Sequence, residues 1–420
     1  MRIPLFLLLL TVAPSSRGRG QGLPRARPED IGLSSASLAQ IRPALQAQVD
    51  SGKVAGFLAI VARHGKVGYL ESIGMLDLGH GTPMRPDAIF AICSMSKPVT
   101  AVAVLQLYDR GKLKLDDPVS QYIPALSGVK VYASGPAANP SVRAPDRPIT
   151  LADLLTHTAG LTYGFFGNTP VDTLYQRANL FLSTRTLAEF VDTLSRLPLL
   201  FSPGSAWNYS LGIDVLGRVV EVASGKSFDR YLEEELFAPL GMRDTGFHYR
   251  PGTEARLATI YGRGPDGKLV VVQDFCSDPS PGSKWLSGGG GLLSTPADYL
   301  RFAQMLLNGG ELEGKRILRR ETVALMLKNE LPPAVGRIPK DALAQSGYGQ
   351  GFGGAVLVDS ALTGLPGAPG IYRWWGYAET YFWIDPQRDL IAMLWSQFLP
   401  GNPTVPLEFQ RLVYAAIKAP

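Results

Sequence analysis

A chain of 420 residues, 45% hydrophobic and 18% charged, can bury a sizeable core in one large or two joined domains, and its composition excludes a disordered or fibrous protein. The formal charge of +5 misleads about partners: Arg2, Arg17, Arg19, Arg25 and Arg27 all precede the first acid, and the 36 remaining Lys and Arg balance 36 Asp and Glu. A neutral body lacks the basic footprint that nucleic acid requires, so no nucleic-acid partner is expected.

Arg2 and the apolar run to Ala13 form a stretch too short to span a bilayer but suited to a signal peptide, so residues 1–22 are assigned as a leader and the protein is expected to be secreted or periplasmic. An uncleaved anchor is the less favoured alternative, and no other stretch predicts a membrane span. Ser34–Ser51 has the spacing of one amphipathic helix, with Leu38, Ile41, Leu45 and Val49 on one face. Val54–Arg63 and Val67–Gly74 predict a β-hairpin whose tip carries a solvated His64. Val99–Tyr108 is almost continuously apolar, which predicts a buried helix closed by Gly111.

From Asp117 to about Ser287 short helices alternate with Pro- and Gly-rich loops: Ala133–Pro148 predicts a long loop, and Thr150–Leu155, Thr186–Leu197, Asp214–Ser224 and Phe228–Leu236 predict helices. Ser287-Gly288-Gly289-Gly290-Gly291 is followed by no Lys-Ser or Lys-Thr, so it predicts close backbone packing and not a phosphate loop. Thr295–Leu307 and Arg320–Leu327 are predicted helices. Phe352–Val358, Arg373–Ala378, Tyr381–Ile384 and Leu390–Gln397 are predicted strands, and Leu407–Ile417 a closing helix. The implied fold is α/β of the α+β type. An antiparallel sheet is built from N- and C-terminal strands (23–120 and 288–420), flanked by helices, and a mainly helical subdomain (121–287) is inserted. Cys93 and Cys276 are too few for a disulfide framework and are expected as two free thiols.

The stretch Ser94-Met95-Ser96-Lys97 puts a hydroxyl and an amine on one face at the start of the buried helix. A helix N-terminus favours negative charge developing near the serine, and an apolar pocket lowers a lysine's pKa toward that of a general base. The pattern alone is weak, because Ser127-Gly128-Val129-Lys130 repeats it in a loop without a helix. No G-x-S-x-G occurs, and His64, His80, His157 and His248 show no metal-ligand spacing, so no metal or cofactor is expected. His157, near a helix end, is assigned a structural role.

Further stretches stand in a fixed order behind the first: Leu154-Leu155-Thr156-His157-Thr158-Ala159-Gly160, Trp207-Asn208-Tyr209-Ser210, Asp214-Val215-Leu216-Gly217, Pro239-Leu240-Gly241-Met242, the Gly-rich run and Trp375-Gly376-Tyr377. With these, nearly the whole chain resembles the serine β-lactamase and penicillin-binding-protein superfamily, and within it the class C β-lactamase-like, or family VIII, carboxylesterases. The resemblance implies Ser94 as nucleophile, Lys97 and Tyr209 sharing the proton transfers, and an oxyanion hole from the backbone N–H groups of Ser94 and Ala378. The chain departs from the lactamases at Tyr209-Ser210-Leu211, which lacks their Tyr-x-Asn amide. It also has Trp375-Gly376-Tyr377 in place of Lys-Thr-Gly, so the cation that meets a β-lactam carboxylate is missing from that site. A small uncharged ester is therefore the expected substrate, bound against Trp375, Gly376 and Tyr377. A β-lactamase or D-alanyl carboxypeptidase with the same centre, and a penicillin-binding module without turnover, are the alternatives.

Overall fold

The protein is described from a computed structural model that covers residues 22–273, 276, 278–280, 282–339 and 346–418, so the expected leader, apart from Gly22, lies outside the described residues. The predicted first helix is broken into a turn at Ser35–Leu38 and α1 (Ile41–Asp50). Pro43 is the cause: its ring would clash with the carbonyl of Ala39 in a continuous helix, whereas a helix restarting at Ile41 holds it in the first turn. The hairpin forms as β1 (Gly56–Arg63) and β2 (Lys66–Asp77), edged by β3 (Thr82–Pro83). His64 at its tip pairs with Asp389, 2.9 Å away across the next hairpin.

The buried helix α2 (Ser96–Asp109) follows, with every side chain from Ser96 to Leu107 buried. Gly111 ends it in the left-handed region. The middle of the chain supplies α3 (Leu151–Leu155), α4 (Pro170–Arg177), α5 (Leu187–Leu194) and α6 (Gly212–Ser224). Thr150, Thr169 and Thr186 cap α3, α4 and α5 with reciprocal capping boxes, which is why such short helices start where they do. Two features depart from the sequence reading. The expected loop 133–148 contains most of a small hairpin, Val131–Ser134 with Ser141–Arg143. A second hairpin, Tyr261–Arg263 with Leu269–Val271, lies in the segment read as helical. Strands this short carry too few residues to show a period of two.

The chain then returns to the sheet through α7 (Pro296–Leu307) and five strands: β4 (Tyr348–Gln350), β5 (Ala355–Leu357), β6 (Tyr372–Gly376), β7 (Thr380–Asp385) and β8 (Leu390–Trp395). The expected strand 352–358 forms as β5 but starts later, at Ala355, because Gly353 takes a left-handed conformation and turns the chain between β4 and β5. The eight strands form one antiparallel sheet in the order β4-β5-β6-β7-β8-β1-β2-β3, with Leu58 opposite Trp395 where the two ends of the chain meet. The last helix is α8 (Thr404–Ala415).

Both faces of the sheet are covered, and adjacent residues of β7 demonstrate it. Phe382 meets Tyr299 of α7 at 5.0 Å, whereas Trp383 meets Phe409 of α8 at 5.6 Å. Successive strand residues point to opposite faces, so α7 and α8 lie on opposite sides. Accordingly β1 and β8 are hydrophobic on both faces, and their residues are almost all buried. Among the described residues no helix is long and apolar enough to cross a membrane.

Candidate active site

Ser94 occupies a 3-10 turn, Cys93–Met95, that leads directly into α2. Side chains three apart eclipse in such a turn, so Ser94 and Lys97 stand side by side where it passes into the helix. Lys97 Nζ donates to Ser94 Oγ at 3.0 Å and to the carbonyl of Gly289 at 2.6 Å. Tyr209 Oη donates to the same Ser94 Oγ at 2.7 Å. Three residues separated by up to 115 positions therefore converge on one oxygen.

Lys97 is fully buried, and burial lowers its pKa to about 7 from an ordinary 10.5, against the opposing pull of Asp214. Asp214, on α6, is itself buried; desolvation raises its pKa, while Lys97, the Ser287 hydroxyl and the Gly289 N–H lower it. Burial also pushes the Tyr209 phenol up, so at neutral pH it is a proton donor and not a phenolate. Its ring packs against Tyr163, Trp374 and His157 at 5.2, 5.7 and 4.8 Å.

His157 is structural in this arrangement. Its Nδ1 accepts the Ser210 N–H at 3.3 Å, and desolvation, reinforced by Lys97, holds its pKa well below the ordinary value. The Ser210 hydroxyl meets the same nitrogen at 3.3 Å, so the residue after Tyr209 packs inward.

The Gly-rich run lets backbone approach the centre. A Cβ on Gly289 would lie 2.4 Å from an Asp214 carboxylate oxygen, and the absence of one allows the Gly289 carbonyl to reach Lys97. Thr100 Oγ1 donates to the Gly288 carbonyl at 2.7 Å and Ser96 Oγ accepts the Leu292 N–H at 3.0 Å, pinning both ends of the run to α2. On the opposite wall, a Cβ on Gly376 would stand 2.2 Å from the Ile92 carbonyl, so the glycine of Trp375-Gly376-Tyr377 is what lets β6 abut the turn that carries Ser94.

Sequence reasoning missed Gln397 and Thr380. The buried Gln397 amide accepts the Ala91 N–H at 3.0 Å and donates to the carbonyls of Ala91 and Ala378 at 3.1 and 3.4 Å. Thr380 Oγ1 donates to the Ile92 carbonyl at 3.3 Å. Together they tie the turn after β6, which contains Ala378, to Ala91 and Ile92, just ahead of Ser94. Asp214 stood in a matched stretch but carried no assigned role. A lone Gln in an apolar strand was the only signal for Gln397.

The two cysteines are not free. Cys93 and Cys276, 183 residues apart, form a disulfide with a Cα–Cα distance of 5.3 Å, within bonding range. Their proximity comes from the path of the segment before the Gly-rich run, which their spacing in the chain does not reveal. Cys93 immediately precedes Ser94 and takes a left-handed φ of 41°.

Two cavities open beside Ser94. The smaller, about 50 Å³, is walled by Tyr163, Phe165, Phe166, Phe181, Cys276 and the Gly-rich run, among others. The larger, about 460 Å³, is walled by β6, β7 and the segment leading into α8, including Trp375, Gly376, Tyr381, Trp383, Pro400 and Gln410. Tyr377 lines both, whereas the Ala378 side chain is buried away from them. Among the described residues no group of three His, Cys, Asp or Glu is placed to hold a metal ion.

Residues 41–416 match the family described as Beta-lactamase. The chain belongs to that family. An uncharacterized Mycobacterium tuberculosis protein is 35% identical over 397 residues, covering 88% of this chain and 96% of its own. Esterase EstB of Burkholderia gladioli is 33% identical over 387 residues, covering 87% of this chain and 92% of its own. Among solved structures, "EstCE1, a hydrolase with promiscuous acyltransferase activity" superposes with a TM-score of 0.77 at 29% identity, covering 90% of this chain and 99% of that one. The chain is thus an enzyme of the serine β-lactamase fold with relatives named as esterases, in keeping with the family VIII resemblance.

Proposed function

We propose that this β-lactamase-fold enzyme is a carboxylesterase that cleaves short-chain esters through an acyl-enzyme on Ser94. The observation that carries the reading is the convergence of Lys97 Nζ and Tyr209 Oη on Ser94 Oγ, at 3.0 and 2.7 Å. A neutral Lys97 has two N–H groups and one lone pair. With one N–H given to the Gly289 carbonyl, the lone pair takes the Ser94 proton as Oγ attacks the acyl carbon. Tyr209, kept as a phenol by burial, delivers a proton to the departing alkoxide and is reprotonated from Lys97. Deacylation runs the same transfers in reverse with water, Tyr209 holding the nucleophile. The Ser94 and Ala378 N–H groups hold the oxyanion, with Gln397 and Thr380 setting the second donor's position.

The two cavities support the choice of substrate. The smaller takes a short acyl chain, and the larger, aromatic one takes the alcohol. Trp375 stands where the lactamases carry a cation, which supports ester over lactam. The disulfide beside Ser94 supports export to an oxidising compartment, as the N-terminal leader implies. An acyltransferase variant, with an alcohol replacing water at deacylation, is favoured by the size of the larger cavity and by the promiscuous acyltransferase activity of EstCE1.

Stopped-flow assays with para-nitrophenyl esters of graded acyl length, beside a chromogenic cephalosporin, test the reading. The expected result is a burst of alcohol, a preference for short acyl chains and at most weak cephalosporin turnover. Turnover that persists in Ser94→Ala refutes it. Adding a competing alcohol and analysing products separates hydrolysis from transfer.

A further inference from the structure

Trp374 of β6 is fully buried, and its indole N–H has no hydrogen-bond partner among the described residues. A buried donor left unpaired costs about 1–3 kcal/mol, so its placement calls for a reason. Of the buried indoles in that condition, Trp374 alone packs on Tyr209, with ring centroids 5.7 Å apart, and it lines the larger cavity together with Tyr209 and Ser94. The other rings it touches offer no acceptor. His157, stacked at 6.5 Å, spends Nδ1 on the Ser210 N–H and keeps its proton on Nε2, and Trp375, at 4.9 Å, has an indole that only donates. Among these neighbours the Tyr209 oxygen is the one acceptor. Burial pushes the Tyr209 phenol up, and hydrogen bonding with Ser94, Trp374 and Tyr163 works against that rise. Tyr163, its ring 5.2 Å from that of Tyr209, is a donor as well: burial first, then Tyr209 and Asp214, hold its proton in place.

We propose that Trp374 is a positioning residue for the acid step, its N–H reserved for the negative charge that appears on Tyr209 Oη when the phenol protonates the departing alkoxide. This rests on the esterase reading and deepens it. In that step the Tyr209 O–H bond breaks and the O–H bond of the product alcohol forms. The charge then stays on Oη until the Lys97 ammonium, which holds the former Ser94 proton, returns one. Asp214 opposes a phenolate at this position, so donors are needed to offset it. An indole N–H suits the task because it donates and never accepts, and so does not compete for the proton in flight. A bond unmade in the resting site and made as the charge develops stabilises the transition state more than the bound ester, and its benefit falls on kcat.

The test removes the N–H and keeps an aromatic ring. Wild type, Trp374→Phe and a variant with benzothienylalanine at position 374, in which sulfur replaces the N–H at nearly the same shape, are each assayed on two acetates. Para-nitrophenyl acetate releases a phenolate that is stable without a proton, whereas benzyl acetate releases an alkoxide that must be protonated as it leaves. The ratio of kcat/KM for benzyl acetate to that for para-nitrophenyl acetate is expected to fall about tenfold in both variants, the size of one hydrogen bond to a charged group. Both substrates are read on one preparation, so a misfolded fraction cancels from the ratio, and the benzothienyl variant preserves the packing that the smaller Phe loosens. A ratio equal to wild type's in the benzothienyl variant, whether both activities fall together or neither does, assigns Trp374 to packing and overturns the proposal. Wild type that turns over neither acetate would instead overturn the esterase reading, and this inference with it.

Discussion

The protein carries the pattern Ser-x-x-Lys twice. Ser94 and Lys97 bracket the junction between a 3-10 turn and a buried helix, and Lys97 is fully enclosed. Ser127 and Lys130 sit at the end of another 3-10 turn, Pro124–Gly128, after which the chain runs extended, and both residues are exposed. The four-residue spacing is the same, and so is the type of turn beneath the serine. What differs is solvent and company. Burial takes the Lys97 ammonium down to about 7, α6 and the Gly-rich run bring a carboxylate and a carbonyl to it, and Tyr209 brings a phenol to Ser94. A nucleophilic serine is thus made by what surrounds the amine, and the surroundings come from segments 115 to 192 residues away.

Substitutions at the two copies break or sharpen that contrast. Ser94→Ala is expected to lower kcat by at least about 10⁴-fold, and Ser127→Ala to leave it within twofold, in steady-state assays with a para-nitrophenyl ester. Lys97→Met is expected to cost about 10²–10⁴-fold, and Lys130→Met nothing measurable; loss at both lysines would show that the contrast is wrong.

The pH profile follows from the same burial. In the proposed mechanism the base is neutral Lys97, so kcat/KM is expected to rise with pH through a midpoint near 7 and to be lost below it, where the amine is protonated. Asp214 raises that midpoint, so Asp214→Asn should move the acidic limb to lower pH; a limb that stays in place would remove Asp214 from the electrostatics of the base.

Gln397→Leu probes the frame around the site. Its amide ties Ala91 to Ala378, so the variant is expected to lower kcat about tenfold with little change in KM. A change confined to KM would assign Gln397 to substrate binding instead.

The smallest effect concerns stability. Glu379 is buried, with its pKa raised to about 8 from 4.5, so the folded state holds a proton that the unfolded state has lost between those values. Its contribution is complete below about 4.5 and falls as pH rises toward 8, by a few kcal/mol at most. Glu379→Gln carries no such titration, so its Tm measured by calorimetry should lose several °C less than wild type's between the two ends of that range.

Much of the fold was legible from pattern. Period-two strands at the two ends of the chain and an unbroken apolar run at Val99–Tyr108 produced β1, β2, β6–β8 and α2 nearly as observed. The misreadings share one cause: elements whose residues interact over a few positions leave no periodic trace. Pro43 breaks a helix by excluded volume, Gly353 turns the chain just before β5 and shortens the expected strand, and the hairpins at Val131 and Tyr261 are too short to alternate. The site residues Ser94, Lys97 and Tyr209 were legible only as an ordered set of short stretches. Nothing local marked Gln397 or the pairing of Cys93 with Cys276.

The sequence by itself determined the candidate nucleophile, its helix and the replacement of a cation by Trp375 near the site, because each depends on residue type at short spacing. Only the tertiary structure decided which of two Ser-x-x-Lys copies has a buried amine and that the cysteines are joined. Those outcomes depend on desolvation and on distances between residues remote in the chain, and neither quantity is written in local spacing.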